Sequence, residues 1–186
     1  MSDVWDGPLA FTVGTTQILV GLAPPAVLGV FQQHADLVED FPDADDRAVG
    51  GYFFVAVDDG DGEWPRLVVT QRYAPSGPGF SPGVLCVPEK RQLFIGAGTR
   101  LVAYHARSGR WRRCWVDEAE FGFWSWRQHD DVVLMSAELE LAAWRTDGTK
   151  LWTTFVEPPW SYRVVSDRVI LDVMGDVRTF DLRRGP

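Results

Sequence analysis

The chain is poor in the residues that most often carry chemistry. Among its 186 residues there are two cysteines, Cys86 and Cys114, and three histidines, His34, His105 and His129. Two cysteines cannot make a disulfide framework, and their spacing is not that of metal ligands, so both are expected as free thiols. The histidines are far apart, and none belongs to a signature such as two histidines four apart beside a glutamate, so no metal site is expected. The GxSxG elbow, the P-loop and the full dinucleotide fingerprint are also missing. The "GAG" of residues 96–98 lacks the third glycine and the following helix, and reads as a turn at a strand end. The sequence therefore points to no catalytic residue and no cofactor.

Long apolar runs and positive charge are scarce as well. No run approaches the ~20 residues of a membrane span, and the opening "MSDVWDGPLA" lacks a basic stretch followed by an apolar one. The expectation is a cytoplasmic protein with no membrane partner. Lys and Arg number 18 against 26 Asp and Glu, a formal net charge of -8, and the acids gather in "EDFPDADD" (39–46) and "VDDGDGE" (57–63). Such a surface repels phosphate backbones and suits a basic protein partner, so direct nucleic-acid binding is not expected.

What the chain has in excess is large rings: nine Trp and eleven Phe. Many of them recur at fixed intervals. "WSWRQHDDVVLMSAELELAAW" (124–144) lies over "WSYRVVSDRVILDVMGDVRTF" (160–180) without a gap at an offset of 36. Trp124 falls on Trp160, Trp126 on Tyr162, Asp131 on Asp167 and Trp144 on Phe180. At an offset of 40, "LFIGAGTRLVAY" (93–104) lies over "VLMSAELELAAW" (133–144). Each segment runs into a turn, in which Gly109 and Gly148 suit a positive φ and Asp147-Gly148 is a hairpin signal. The expected unit is strand, turn, strand, turn, strand. It occurs three times within residues 84–186, with the 36–40-residue period of propeller blades and similar β-arrays. Strand alternation would put Trp124 and Trp126 on one face, and a ring pair present in two units is expected to pack a core.

Residues 1–83 read as a diverged N-terminal part of a single β-rich domain spanning 1–186. "FTVGTTQILVGL" (11–22), "YFFVAV" (52–57) and "PRLVVTQRY" (65–73) read as strands, "DDGDGEW" (58–64) as a hairpin and "APSGPGFSP" (74–82) as a loop. In "PPAVLGVFQQHADLVEDF" (24–41), Val27, Phe31, Val38 and Phe41 approach helical spacing, while Gly29 and the Val/Phe content leave a strand open. The fold class expected is all-β: antiparallel meander units, propeller-like or a partial propeller, with at most one short N-terminal helix.

The runs "GTRLVAYHARSGRWRRCW" (98–115) and "LELAAWRTDGTKLW" (139–152) resemble the repeats of quinoprotein-like β-propellers. Ser108-Gly109 with Trp115, and Asp147-Gly148 with Trp152, match the turn and the later tryptophan of those repeats; Tyr104 and Trp144 match the strand end. The resemblance implies that Trp115 and Trp152 pack between neighbouring blades. Where the pattern has Asp after the strand, this chain has His105 and Arg145, and Asp181 alone matches. Three units are fewer than the family's seven or eight blades, and the resemblance carries over no quinone-binding or metal-binding residue.

Two functional readings follow. The first is a non-enzymatic intracellular protein-interaction domain that meets a protein partner through acidic and aromatic loops; an inhibitor or immunity-type protein is its narrower form. The second is a carbohydrate or small-molecule binder, or a hydrolase, using stacked rings and loop carboxylates. Its candidate residues are Asp117, Glu118, Glu120, Trp124, Trp126, Glu157, Trp160 and Tyr162.

Overall fold

A computed structural model of the chain describes residues 7–42, 50–60, 62–74 and 81–186. Parts of the acidic 39–46 stretch and of the 74–82 loop, together with Asp61, lie outside the described residues. Strands account for 62% of the chain and helix for 6%, which makes it all-β, with a single α-helix among the described residues, as the short Val-, Ile- and Phe-rich segments between glycine turns require. The strands form four sheets, and the chain divides into two compact units: residues 1–75 with 106–112, and residues 76–105 with 113–186.

The first unit holds a five-stranded sheet built from β1 (Leu9–Val13), β2 (Thr16–Gly21), β3 (Leu37–Phe41), β4 (Gly51–Asp58) and β5 (Leu67–Tyr73), in the order β1-β2-β4-β5-β3. "FTVGTTQILVGL" is thus a hairpin rather than one strand, turning at Gly14 with φ 62°. The segment 24–41 divides into α1 (Leu28–His34) and β3, so Val38 and Phe41 belong to a strand. Helix α1 has no side-chain N-cap and no buried residue. It is held by half-buried Leu28 and Phe31 against Phe54, Ala56 and Val68 of the sheet. After α1 the chain enters beside β5, and β3 pairs with β5 in parallel, so this sheet is not a purely antiparallel meander. Backbone N–H groups of Asp36 and Leu37 donate to the Arg66 carbonyl, and Thr70 Oγ1 donates to Asp40 Oδ1 at 2.6 Å, which ties β3 in place.

Apart from residues 106–112, which strand pairing still joins to the first of them, three antiparallel sheets in chain order make up the second unit. The first is β6 (Gly83–Val87), β7 (Gln92–Ala97), β8 (Arg100–Arg107) and β9 (Arg110–Glu118); the second is β10 (Phe123–His129), β11 (Val132–Ala137), β12 (Glu140–Arg145) and β13 (Lys150–Phe155). The third is β14 (Trp160–Val165), β15 (Arg168–Val173) and β16 (Asp176–Asp181). Two of the sheets therefore have four strands where three were expected, because the segments after Gly109 and Gly148 return as β9 and β13. Pairing follows the sequence offsets: Gln92 faces His105, Val132 faces Arg145 and Arg168 faces Asp181.

The middle sheet packs on both faces. Val133, Met135, Ala142 and Trp144 meet Phe94, Leu101 and Ala103 of the first sheet. Val132, Leu134, Leu141 and Ala143 meet Val169, Leu171 and Phe180 of the third. That double burial explains why β11, "VVLMSA", is a continuous buried run, whereas β14, "WSYRVV", alternates half-buried and exposed. Gly96 is needed for the closest approach between the first two sheets, since a Cβ there would lie 2.6 Å from the Phe123 ring.

Candidate functional site

Three of the four candidate rings, Trp124, Trp160 and Tyr162, are brought together, and Trp126 is not, contrary to what alternation predicts. The β10–β11 register pairs Phe123 with Ala137 and then Ser125 with Ser136, so Trp124 is the extra residue of a β-bulge. The bulge turns Trp124 and Trp126 to opposite faces of the middle sheet. Trp126, 9% exposed, joins Phe123, Phe94 and Trp144, with ring centroids 5.4–5.5 Å away. Trp124 instead stacks on Trp160 of the third sheet at 5.2 Å and 12°. Trp160 and Tyr162 do share a face, stacked at 6.3 Å, and the Trp160 indole N–H donates to the Glu138 carbonyl at 3.0 Å. The Arg127 guanidinium lies over the Tyr162 ring at 6.0 Å. Burial pushes the Tyr162 phenol above its ordinary pKa, opposed by Ser136 and the Arg127 charge. Ring faces that a stacked sugar would need are thus used on one another.

The candidate carboxylates have separate tasks. Asp117, near the end of β9, pairs with Lys150 Nζ at 2.7 Å and accepts the Glu118 backbone N–H at 3.0 Å. Glu118 and Glu120 are exposed, and Glu157 is exposed between β13 and β14. The backbone N–H of Glu120 donates to Glu140 Oε2 at 2.9 Å, and Thr153 Oγ1 donates to Glu140 Oε1 at 2.6 Å. Glu140 is a buried acid that sequence reading passed over; its only signal is an acid opening an otherwise apolar strand, "ELAAW". Among the described residues no group of three or more His, Cys, Asp or Glu is placed to hold a metal ion.

Among the described residues each unit has a cleft. In the second unit an open groove of about 510 Å³ is bordered by Pro159, Trp160, Ser161, Asp172, Met174 and Gly175. It contains one candidate, Trp160, and one carboxylate, Asp172, whose Oδ1 already accepts the Gly175 N–H at 2.8 Å. In the first unit a deeper cleft of about 290 Å³ lies between β1, β2, α1 and the 58–65 loop. Phe11, Ile18, Leu19, Phe31 and Pro65 line it with apolar side chains, and Asp58, whose Oδ1 accepts the Gly60 N–H at 3.2 Å, and Glu63 add two acids to the lining. Beside it, strand β1 leaves Leu9 50% and Phe11 39% exposed.

Two further clusters escaped sequence reading. Arg183 Nη2 binds Asp131 Oδ1 at 2.6 Å and its Nη1 binds Asp167 Oδ1 at 3.0 Å, joining the two aspartates that align at offset 36. The Arg183 hydrogen bond holds the Asp131 carboxyl below its ordinary pKa. Cys114, an exposed thiol outside any disulfide, has His105 Nδ1 at 3.0 Å and receives the Gln92 amide at 3.4 Å.

Compared with models of known families and with curated proteins, the chain matches none. Among the described residues no helix is long and apolar enough to cross a membrane.

Proposed function

We propose that this protein is a non-enzymatic interaction domain whose first unit takes up a basic segment of a partner protein, a lysine or arginine flanked by apolar residues. The observation that carries this reading is the cleft of about 290 Å³, whose lining combines the acids Asp58 and Glu63 with the apolar Phe11, Ile18 and Phe31. Acid in the lining attracts the cation, while burial of its alkyl stem and apolar neighbours against the apolar side chains supplies most of the affinity. The net charge of -8 steers basic partners and repels phosphates. An inhibitor or immunity-type role against a basic enzyme, in the cytoplasm, is the narrower form.

The second unit serves as the scaffold in this reading. We infer that its three sheets are blade-like units similar to quinoprotein-type repeats. Support comes from Trp115, whose indole N–H donates to the Gly148 carbonyl at 2.6 Å, and from Trp152, which donates to the Leu182 carbonyl at 2.8 Å. In each case the tryptophan of one sheet is fastened to the turn or strand end of the next. The carbohydrate reading draws less support, because Trp124 and Trp160 cover one another and Asp117 is neutralised by Lys150.

Random nine-residue peptide arrays test the proposal. Peptides with Lys or Arg next to apolar residues should be selected, binding should weaken as salt rises, and the double variant Asp58→Asn, Glu63→Gln should lower affinity at least about tenfold. Selection without basic residues, or selection indifferent to both substitutions, would overturn it. A glycan-array signal lost in Trp160→Ala would favour the second reading.

A further inference from the structure

Cys114 is exposed, yet its sulfur is held from two sides. His105 Nδ1 lies 3.0 Å from Sγ, and the Gln92 Nε2 amide donates to the sulfur at 3.4 Å. Gln92 is 1% exposed and sits directly opposite His105 in the β7–β8 ladder. Its position is closely determined, since a Cβ at Gly148 would come within 2.7 Å of Nε2, and Gly148 is itself fastened through its carbonyl to Trp115. A neutral thiol is a weak acceptor, so a buried amide N–H aimed at sulfur is matched best by a thiolate.

We propose that Cys114 is a nucleophilic, oxidisable thiol, with His105 as its proton acceptor, Gln92 as the donor that holds the sulfur, and small uncharged hydroperoxides as its electrophiles. The S–H proton passes to Nδ1 of His105, leaving a thiolate beside an imidazolium. The sulfur then attacks the nearer peroxide oxygen. An S–O bond forms as the O–O bond breaks, the leaving oxygen takes the proton from His105, and the products are a sulfenic acid and water or an alcohol. Sulfur loses two electrons and the peroxide gains them. A small neutral electrophile needs no pocket around an exposed strand residue, and the acidic chain disfavours anionic ones.

The test treats the full chain with iodoacetamide across about pH 5 to 9, and separately with hydrogen peroxide plus dimedone, and locates the adducts by mass spectrometry. Cys114 should alkylate with a midpoint below the ordinary thiol value of about 8.5, and peroxide should give a dimedone adduct at Cys114. His105→Asn should slow alkylation at pH 7 about three- to tenfold, the lost thiolate fraction being partly offset by greater nucleophilicity. Cys86, 8% exposed in β6, is the internal control for folding and should stay unlabelled. A wild-type midpoint at or above the ordinary value, no dimedone adduct, or an unchanged rate in His105→Asn with Cys86 still protected would each overturn the proposal. If the variant exposes Cys86, the wild-type midpoint and the adduct decide it alone.

Discussion

Trp126 and Trp124 are two residues apart and face different sheets, so their contributions should separate in a mutant series. Trp126 is 9% exposed and touches three rings, and Trp126→Ala should cost about 3–5 kcal/mol. Trp124 stacks on Trp160 and is more exposed; Trp124→Ala should cost roughly 1–2 kcal/mol, the scale of a partly exposed stacked pair. The Trp126 indole nitrogen is buried without an acceptor among the described residues. Trp126→Phe should therefore be much milder than Trp126→Ala, because it removes an unsatisfied donor while keeping most of the ring. Denaturant melts of the three variants check this order; equal losses at 124 and 126 would contradict the opposed faces. Nothing in "FWSWR" announces the bulge that separates the two rings. Strict alternation was the right rule for Trp160 and Tyr162 and the wrong one for Trp124 and Trp126, because one unpaired residue inverts the facing of all that precedes it.

Among elements, the connection from β9 to β10 depends on a carboxylate in β12. Glu140 accepts from the Glu120 backbone and the Thr153 hydroxyl, and both donors lose their partner in Glu140→Ala. That change should cost about 1–3 kcal/mol, whereas Glu140→Gln, which keeps an acceptor oxygen, should cost less. Chemical denaturation of the pair checks it. Arg183 plays a comparable part between the β10–β11 and β14–β15 turns. Because Asp131 titrates below its ordinary value in the folded chain, the tie is complete above the unfolded carboxylate pKa of about 3.9 and is lost as pH falls through the lower folded value. Carboxyl NMR should show Asp131 returning toward its ordinary pKa in Arg183→Gln; no movement would mean the contact is not formed in solution. The turns of these elements were readable from Ser108-Gly109 and Asp147-Gly148, since only a few residue types accept a positive φ. Glu140 and Arg183 were not, because their roles depend on partners 13 to 52 positions away in the chain.

At the scale of the whole molecule, the second unit behaves as layers that finish one another. Its order was legible in the 36- and 40-residue offsets, because buried rings and turn glycines must recur wherever one pairing register recurs. The first unit lacked such an internal template. Its parallel β3–β5 pair joins segments that no local pattern links, and its cleft forms from four separate elements. The layered arrangement makes a strong forecast for truncation. Removing residues 149–186 takes away β13 and the whole third sheet, leaving Val132, Leu134, Leu141 and Ala143, each now 0% exposed, as one bare apolar face. Burying a Val or Leu contributes about 1.5–3 kcal/mol, so baring Val132, Leu134 and Leu141 forfeits roughly 5–9 kcal/mol, comparable with the roughly 5–15 kcal/mol that usually separates folded from unfolded states. The truncated chain should bind a hydrophobic dye, melt without a cooperative transition and associate. A soluble fragment with a sharp melt would mean that the middle sheet is stable without the third, and that the layers are independent domains.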